Sequence, residues 1–572
     1  VEAAAVRRSY DQFLVAQTRV SGGTAERLNE FAAQAERINN LLGDPSTGLS
    51  ASTQRFANAL QGVATTPASI PARETLLAEG AQLAQRLNDY DNRLRTLDRD
   101  INARFAVEAR DISSLAANIA QLNGEITAAY ERSSQDPNDL LDQRDRLIDQ
   151  ISRKLNVSVV PENRTVLNVF VGNGQALVLG TAAAEITVTR DRFDPERQQL
   201  ALQTPSGPID ISQNLSGGSL GGLIDFRREM LDPARNALGR MATALTEQMN
   251  GQHRAGIDLT GALGGDFFRV GGVATSPATD NAGSATLNVA RTAIGELTEY
   301  DFILENTATG MQLQRADTGV PVSLTGSGTV ADPYLAAGLS IVTNGAAALG
   351  DRFMIRPTRN AVAGFGLAVT DAARVAAAAP IRTSANNANT GSAAISAGEV
   401  VDVTDPALRT PAVIQFTSPT TYSINGSGSF PYTSGTPITQ NGWSVTLTGT
   451  PAVGDQFSVL DNSAGRGDNR NALLLAATLA APALDNGTAS VAATIERFTA
   501  EIGLQTRSAQ NNRDAQAVVY RDDLAARDSV SGVNLDEEAA NLLRYQQAYQ
   551  AAAKVIAISS TLFDSLLGAF RR

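Results

Sequence analysis

The sequence predicts a multidomain α+β protein: an elongated helical shaft formed by the N- and C-terminal segments, with antiparallel β domains protruding from the middle of the chain. Three observations carry this prediction. Apolar residues step by three and four through the first part of the chain and return in its last part. Between them lies a long stretch of Thr, Ser, Gly, Ala and Val, with turn signals roughly every 8–12 residues. The chain then closes on a helix whose apolar positions recur at strict seven-residue intervals. With 572 residues there is room for about four domains.

Taken in order, Leu28, Phe31, Ala35, Ile38 and Leu42 mark a packed helix that Gly43-Asp44-Pro45 stops. A shorter helix surrounds Phe56, Leu60 and Val63, and Pro67 to Pro71 forms a turn, with Pro71 suited to a first helical position. The longest run follows. Leu83, Leu87, Tyr90, Leu94, Leu97 and Ile101 keep the alternation, and Ile112, Leu115, Ile119, Leu122 and Ile126 resume it in phase. Arg104 and Glu108 fall on the seam between them, with Phe105 one step off; a register adjustment or local exposure is expected there, ahead of a buried Arg–Glu pair. Continuous from Ala72 to Arg132, this helix would approach ~90 Å. Asn138 to Leu155 reads as another amphipathic helix; Asp136, Asp139, Asp142, Asp145 and Asp149 line up at helical spacing there, interleaved with Arg144, Arg146 and Arg153. Such a row is a solvated salt-linked face or a docking face for another subunit.

At Asn156 the pattern changes to short β-rich runs, and helix returns at Ser219 with Leu223, Phe226, Met230, Leu238, Met241, Leu245 and Met249 on one face and a kink or restart at Pro233. Within the β part, Leu339 to Ile355 matches Trp443 to Val459, sharing a Ser, two Gly, an Ala, the Asp and the Phe. This repeat divides the region in two, with alanine-rich Asp371 to Ala379 as the joint. Helix resumes at Asp468, runs through Leu473 to Leu479, and continues past Phe498, Ile502, Val518, Val519 and Leu524. The resulting domain plan is a discontinuous long-helix shaft (1–155, 215–268 and 466–533), a small β insertion (156–214), a first β domain (271–370), a second β domain repeat-related to the first (390–462), and a C-terminal assembly helix (534–572).

The terminal helix carries Leu535, Leu542, Tyr549, Ile556, Phe563 and Phe570 on one seam. A seven-residue period keeps that seam facing a partner along its whole length. Ala539, Ala553 and Leu567 add a second row four residues on, interrupted by Gln546 and Ser560. Asn534 is placed to cap and Glu537 completes a capping box. From Val555 to Phe570 the helix holds a single charge, Asp564. From periodicity alone it is either a core helix of its own domain or a helix that awaits another chain.

Composition excludes several classes of function. A net charge of −12 argues against nucleic acid and against an anionic membrane as partner. Cysteine is absent, which removes disulfides, thiolate metal sites and cysteine nucleophiles. Only Lys154 and Lys554 are lysines among 47 basic residues, a compositional habit rather than a binding feature. No unbroken apolar run approaches the ~18 residues of a membrane span. His253 is the sole histidine and sits where a helix ends, which suits a polar group at a helix C-terminus better than catalysis or zinc. Gly172-Asn173-Gly174 and Gly217 to Gly222 lack the Gly-Lys-Ser/Thr of a phosphate loop and read as turns or a loose helix start. Asp258, Asp266 and Asp280 are too scattered for a calcium loop, and Arg466-Gly467-Asp468 falls at a helix start. No catalytic constellation, metal site or cofactor site emerges. The expectation is a non-enzyme.

The residues Ser531-Gly532-Val533-Asn534-Leu535-Asp536-Glu537-Glu538, followed by Leu542 to Tyr549, resemble the C-terminal signature of bacterial flagellar axial proteins. Asn138 to Asp145, Gly217 to Leu223 with Phe226-Arg227, and Gly467 to Asn471 narrow the resemblance to the FlgK family of hook–filament junction proteins. It covers about Val6 to Phe268 and Gly467 to Phe570, and the β region matches loosely through its Ala/Pro-Ala-x-Gly-Asp-x-Phe hairpins. The resemblance implies a homo-oligomeric ring joining hook to filament, with hook protein on one side and the second junction protein on the other. It further implies type III export without a cleaved signal, a cytoplasmic chaperone on the C-terminal helix, and an extracellular final place. Ser531, Gly532, Asn534, Asp536 and Glu537 become the helix-start signature, and the seam becomes the assembly and chaperone surface. It also implies a further N-terminal helix ahead of Val1, since Val6 to Leu14 corresponds to the point where that helix has ended. A secreted adhesin or carbohydrate-binding protein acting through its β domains is the rival reading.

Overall fold

The computed structural model describes residues 8–42, 48–531 and 535–570, without the side chains of Leu535, Asp536 and Phe570. The stop expected at Gly43-Asp44-Pro45 lies outside the described residues. Nine α-helices occur among them: α1 (Gln12–Leu42), α2 (Leu49–Thr65), α3 (Ile70–Ser133), α4 (Asn138–Lys154), α5 (Gly218–Phe226), α6 (Asp232–Arg254), α7 (Arg470–Thr478), α8 (Val491–Ser531) and α9 (Leu535–Phe570). The two ends of the chain meet in the antiparallel pair α1–α8. Gln17 Nε2 donates to Asp523 Oδ1 (2.7 Å), Gln516 Nε2 to the Ser21 carbonyl (3.2 Å), and Thr506 Oγ1 to the Ala35 carbonyl (3.3 Å). A Cβ on Gly22 would stand 2.9 Å from the Tyr520 ring, so the crossing is close.

Helix α3 is unbroken over 64 residues, roughly 95 Å at the usual rise. Ser69 caps it and Pro71 stands in its first turn, one place later than the sequence suggested. The seam does not run through Arg104 and Glu108. It slips by one, through Ile101, Phe105, Ala109, Ile112, Ala116 and Ile119, all buried. The displaced charges reach sideways instead: Arg104 pairs with Glu30 of α1 (2.8 Å for Nη2–Oε2), and Glu108 accepts from Lys154 Nζ of α4 (2.6 Å). Two four-residue steps in succession turn the stripe slightly and leave the ionic groups at its edge.

Polar side chains on α3 receive backbone groups from different parts of the chain. Asn88 Nδ2 donates to Phe365 O (3.0 Å), Asn102 Nδ2 to Glu196 O (2.8 Å), and Ser113 Oγ to Ile186 O (3.2 Å). Asn123 Nδ2 reaches both Leu167 O (2.9 Å) and Gly180 O (2.7 Å). At the N-terminal end the buried Arg73 guanidinium binds the carbonyls of Pro67, Ala372 and Val375. Burial brings its pKa down to about 10.

The small β insertion packs on α3 as a four-stranded and a three-stranded antiparallel sheet; the sequence missed the strands Gln198–Thr204 and Gly207–Asp210. The acidic row of α4 is salt-linked, but to the start of the chain rather than to its own arginines: Arg8 holds Asp142 (2.6 Å) and Asp145, and Arg19 of α1 holds Asp145 (3.1 Å) and Asp149 (2.6 Å), while Asp139 stays exposed. Gly218, at φ +62°, and Gly222 let α5 cross this layer; a Cβ on them would stand 2.2 Å from the Lys154 carbonyl carbon and 2.4 Å from the Arg27 carbonyl oxygen. At Pro233 the chain stays helical, with α5 and α6 joined through a π turn. Proline offers no N–H to the preceding turn, and the π turn, Arg227–Leu231, absorbs the missing bond.

The β region forms two units of the same topology. The first has a five-stranded sheet in the order Pro321–Val322, Gly310–Arg315, Phe302–Thr307, Arg352–Arg356, Ala274–Pro277. The second repeats it as Ser427–Pro431, Thr421–Ile424, Ala412–Ser418, Gln456–Asp461, Ile381–Ala385. The shared Asp does the same work in both. Asp351 accepts from the N–H groups of Ala282, Gly283 and Ala348, and Asp455 from those of Thr390, Gly391 and Ala452. Asn281 and Asn389 each exchange two hydrogen bonds with the backbone of the residue after that Asp. The duplication therefore includes Asn281-Ala282-Gly283-Ser284 and Asn389-Thr390-Gly391-Ser392, which the sequence comparison passed over because the intervening loops differ in length.

Two expected boundaries are corrected. The first β unit closes at Arg356 rather than 370, because Val362, Phe365, Val369, Ala372, Val375 and Ala377 enter the helical core. The stretch Asp371 to Ala379 is thus part of the helical body, not a joint between β domains. The second unit begins at Ile381 rather than 390, since Ile381–Ala385 pairs with Gln456–Asp461 along its whole length. A third correction concerns α8. A hairpin, Pro482–Leu484 with Ala489–Ser490, separates it from α7, and Val518 and Val519 are half exposed because packing on α1 draws on Phe498, Ile502, Thr506 and Ala509 instead.

Candidate assembly surface

The helical body supports α9 without covering it. Ser9 Oγ donates to the Val530 carbonyl (2.7 Å), so α1 begins beside the end of α8, just before the terminal helix sets out. Helix α9 then continues without a break for 36 residues, about 54 Å. On the seam, Leu542, Tyr549, Ile556 and Phe563 are 68%, 78%, 70% and 64% exposed. Leu535 and Phe570 are its first and last residues, and their side chains fall outside the description, as does that of Asp536. Gly532 and Asn534 lie outside the described residues, so the capping box is not seen. Ser531 ends α8 with its Oγ on the Arg527 carbonyl (3.0 Å), and Glu537 stands exposed in the first turn of α9.

Sequence reading missed a second apolar stripe. Val555, Ile558, Leu562 and Leu566 follow each other by three, four and four, and all are more than half exposed. At ~100° per residue this stripe lies roughly 100° around the helix from Ile556 and Phe563. The C-terminal half of α9 thus presents two apolar faces. Repetition at i, i+3, i+4 would have shown it, had the seven-residue seam not absorbed the same window. Free in water, a surface of this kind is unfavourable at roughly 25 cal/mol per Å² of apolar area. By length and composition, Glu537–Ala569 would also pass as a membrane span, which corrects the expectation from unbroken runs; glutamines, serines and Lys554 interrupt the run without lowering its average enough.

The residues weighed for chemistry are all engaged structurally. His253 is fully buried in the last turn of α6; its Nδ1 donates to the Gly265 carbonyl (2.7 Å) and its Nε2 accepts from the Ala376 N–H (2.9 Å). Burial pushes its pKa below the ordinary value, so the ring is a neutral polar staple at the helix end. Asp258 Oδ1 accepts from Thr260 and Ala262, and its Oδ2 from Arg374. Asp468 of the Arg-Gly-Asp tripeptide is held by Arg470, Asn462 and the Ala379 N–H. Among the described residues no group of three His, Asp or Glu side chains is placed to hold a metal.

Known proteins resemble this chain over nearly its whole length. Residues 35–268 match the helical domain of flagellar hook-associated protein FlgK, and residues 527–569 match the C-terminal domain of the flagellar basal body rod FlgEFG proteins. Flagellar hook-associated protein 1 of Salmonella typhimurium is 28% identical over 98% of this chain and 88% of its own length. The same protein of Escherichia coli is 26% identical over equal shares. In three dimensions the flagellar hook junction protein FlgK from Burkholderia pseudomallei superposes with a TM-score of 0.84 at 28% identity, covering 90% of this chain and all of that one. The likeness thus runs through the β units as well as the helical ends, and along nearly its whole length the chain is similar to the FlgK flagellar hook-associated proteins.

Proposed function

We infer that the chain is a structural component of the bacterial flagellum that acts at the junction between hook and filament. The observation that carries this reading is α9, a 36-residue helix with its seam in water, on a chain whose relatives are hook-associated proteins. On this reading the seam Leu535, Leu542, Tyr549, Ile556, Phe563 and Phe570 has two successive partners. An export chaperone covers it in the cytoplasm, and helices of neighbouring subunits cover it in a ring outside the cell. Hook protein bounds the ring on one side and the second junction protein on the other. The second stripe supports contact with more than one neighbour, because a helix apolar on two faces is not covered by a single partner. The role is structural rather than catalytic. No observation favours the adhesin reading, since the relatives matched along the β units are themselves hook-associated proteins.

The test is removal of residues 535–572. The shortened chain is expected to keep the helical circular dichroism of its body and the buried environment of Trp443, while losing both chaperone retention and incorporation at the hook tip. Normal swimming by cells that carry only the shortened chain would overturn the reading.

A further inference from the structure

The two β units share a topology but not a mounting. The first is bound into the helical body by buried ion pairs. Arg359 joins Asp301 of the β unit (2.7 Å) to Asp232 of α6 (3.3 Å), Arg197 meets the same Asp232 (2.8 Å), and Arg356 reaches Asp194 (3.4 Å). Ile294 packs against the cores of both the body and this unit. The second unit has a core of its own around Trp443, Phe416 and Phe457 that shares no residue with the body. Its two connections, Ala379 to Ile381 and Asp461 to Asp468, run side by side. Asn462 ties them together, its N–H on Pro380 O (3.0 Å) and its Nδ2 on Ala379 O (2.8 Å). The grip from the body comes from the first residue of α7: Arg470 donates to Ile381 O and to Ala397 O (2.7 Å) and pairs with Asp468.

We propose that the second β unit is carried on a hinge formed by these two paired connections and turns relative to the helical body, while the first unit is locked to it. Contacts from one arginine, exposed at Ala397 and only part-buried at Ile381, resist rotation far less than a desolvated set of alternating charges and a shared core. The hinge is independent of what covers α9, so its failure would leave the assembly reading untouched.

The absence of cysteine makes paired spin labels specific. Leu349 and Val453 are matched reporters: both are exposed, and each precedes the Gly-Asp turn that the buried carboxylate fixes. Label motion local to the turn is therefore expected to be similar at the two sites. Distances would be measured in the full chain from each to a third label at exposed Val107 on α3, using the Leu349→Cys/Val107→Cys and Val453→Cys/Val107→Cys pairs. The distribution to residue 453 is expected to be at least twice as wide as that to residue 349. Equal widths, whether narrow or broad, would overturn the hinge. Adding Arg470→Ala is expected to widen or shift the distribution to residue 453 alone; an unchanged distribution would overturn the assignment of Arg470 as the grip.

Discussion

Helices α3 and α9 carry the same kind of apolar periodicity and meet opposite fates. In α3 the stripe is buried from Leu76 to Ile126 against α2, α4 and the β insertion; in α9 every described side chain except half-buried Asn541 is exposed. The difference does not lie in apolar content, since the last third of α9 is the more apolar of the two. It lies in what else the helix offers. The α3 stripe is flanked by Arg73, Asn88, Asn102, Ser113 and Asn123, each of which receives a carbonyl from another part of the chain. Those groups commit α3 to intramolecular neighbours. Helix α9 has no such set and is left with apolar faces that any suitably spaced helix can cover. Periodicity states that a face must be buried; the polar residues beside it state by whom.

That contrast can be broken most forcefully at the register slip of α3. Phe105→Ala is expected to destabilise the body by ~3–5 kcal/mol in urea unfolding followed by helical circular dichroism, as for a fully buried aromatic. Arg104→Ala, at the position the simple seam would bury, is expected to cost ~0–1 kcal/mol. The reverse order would restore the uninterrupted seam. A second test uses protons. His253 is held neutral with its pKa below the ordinary 6.5, so its contribution is complete above that value and is lost as pH falls from about 6.5 through the folded pKa. His253→Gln should flatten that part of the stability–pH curve. An unchanged slope would mean that His253 does not link the body to pH.

Smaller and more local is the effect at the β-unit turns. Backbone N–H donors hold the Asp455 carboxyl below its ordinary range, and in Asp351 they do so against the opposing effect of burial. Asp455→Ala is expected to lower the unfolding midpoint read by Trp443, the single tryptophan, while Asp351→Ala leaves that signal in place. Matching shifts from both would show that the two units unfold together. The smallest effect belongs to α9: Ile556→Ala is expected to change the stability of the isolated chain by no more than ~0.5 kcal/mol. A loss of several kcal/mol would show that the helix is packed in solution, and the comparison with α3 would fail.

Much of this was legible from residue spacing. The long helices announce themselves because three–four stepping survives even where single positions deviate, and the Gly-Asp turns of the β units repeat closely enough to reveal a duplication. What could not be read were features decided by distant parts of the chain. Val362 to Ala377 looks like an alanine-rich link but is drawn into the helical core by Arg73 and Asn88, hundreds of residues away. The acidic row on α4 looks solvated until Arg8 and Arg19 are brought across it. The seam of α9 was plain in the sequence, whereas its second stripe was hidden by sharing the same helical window as the first.

The unbroken course of α3 has a further consequence for how such a chain tolerates change. Its polar contacts form a graduated scale: Arg73 and Asn88 dock the return from the first β unit, others the small β insertion, and the graduations are fixed by helical pitch. A single residue inserted midway would turn everything beyond it by ~100° and slide it ~1.5 Å, so that all later docking points would miss at once. A residue added to a β hairpin shifts only that loop, as the differing loop lengths of the two β units already illustrate. Gains and losses of sequence are therefore expected to accumulate in the hairpins, with the length of α3 held constant as the standard against which the rest of the molecule is positioned.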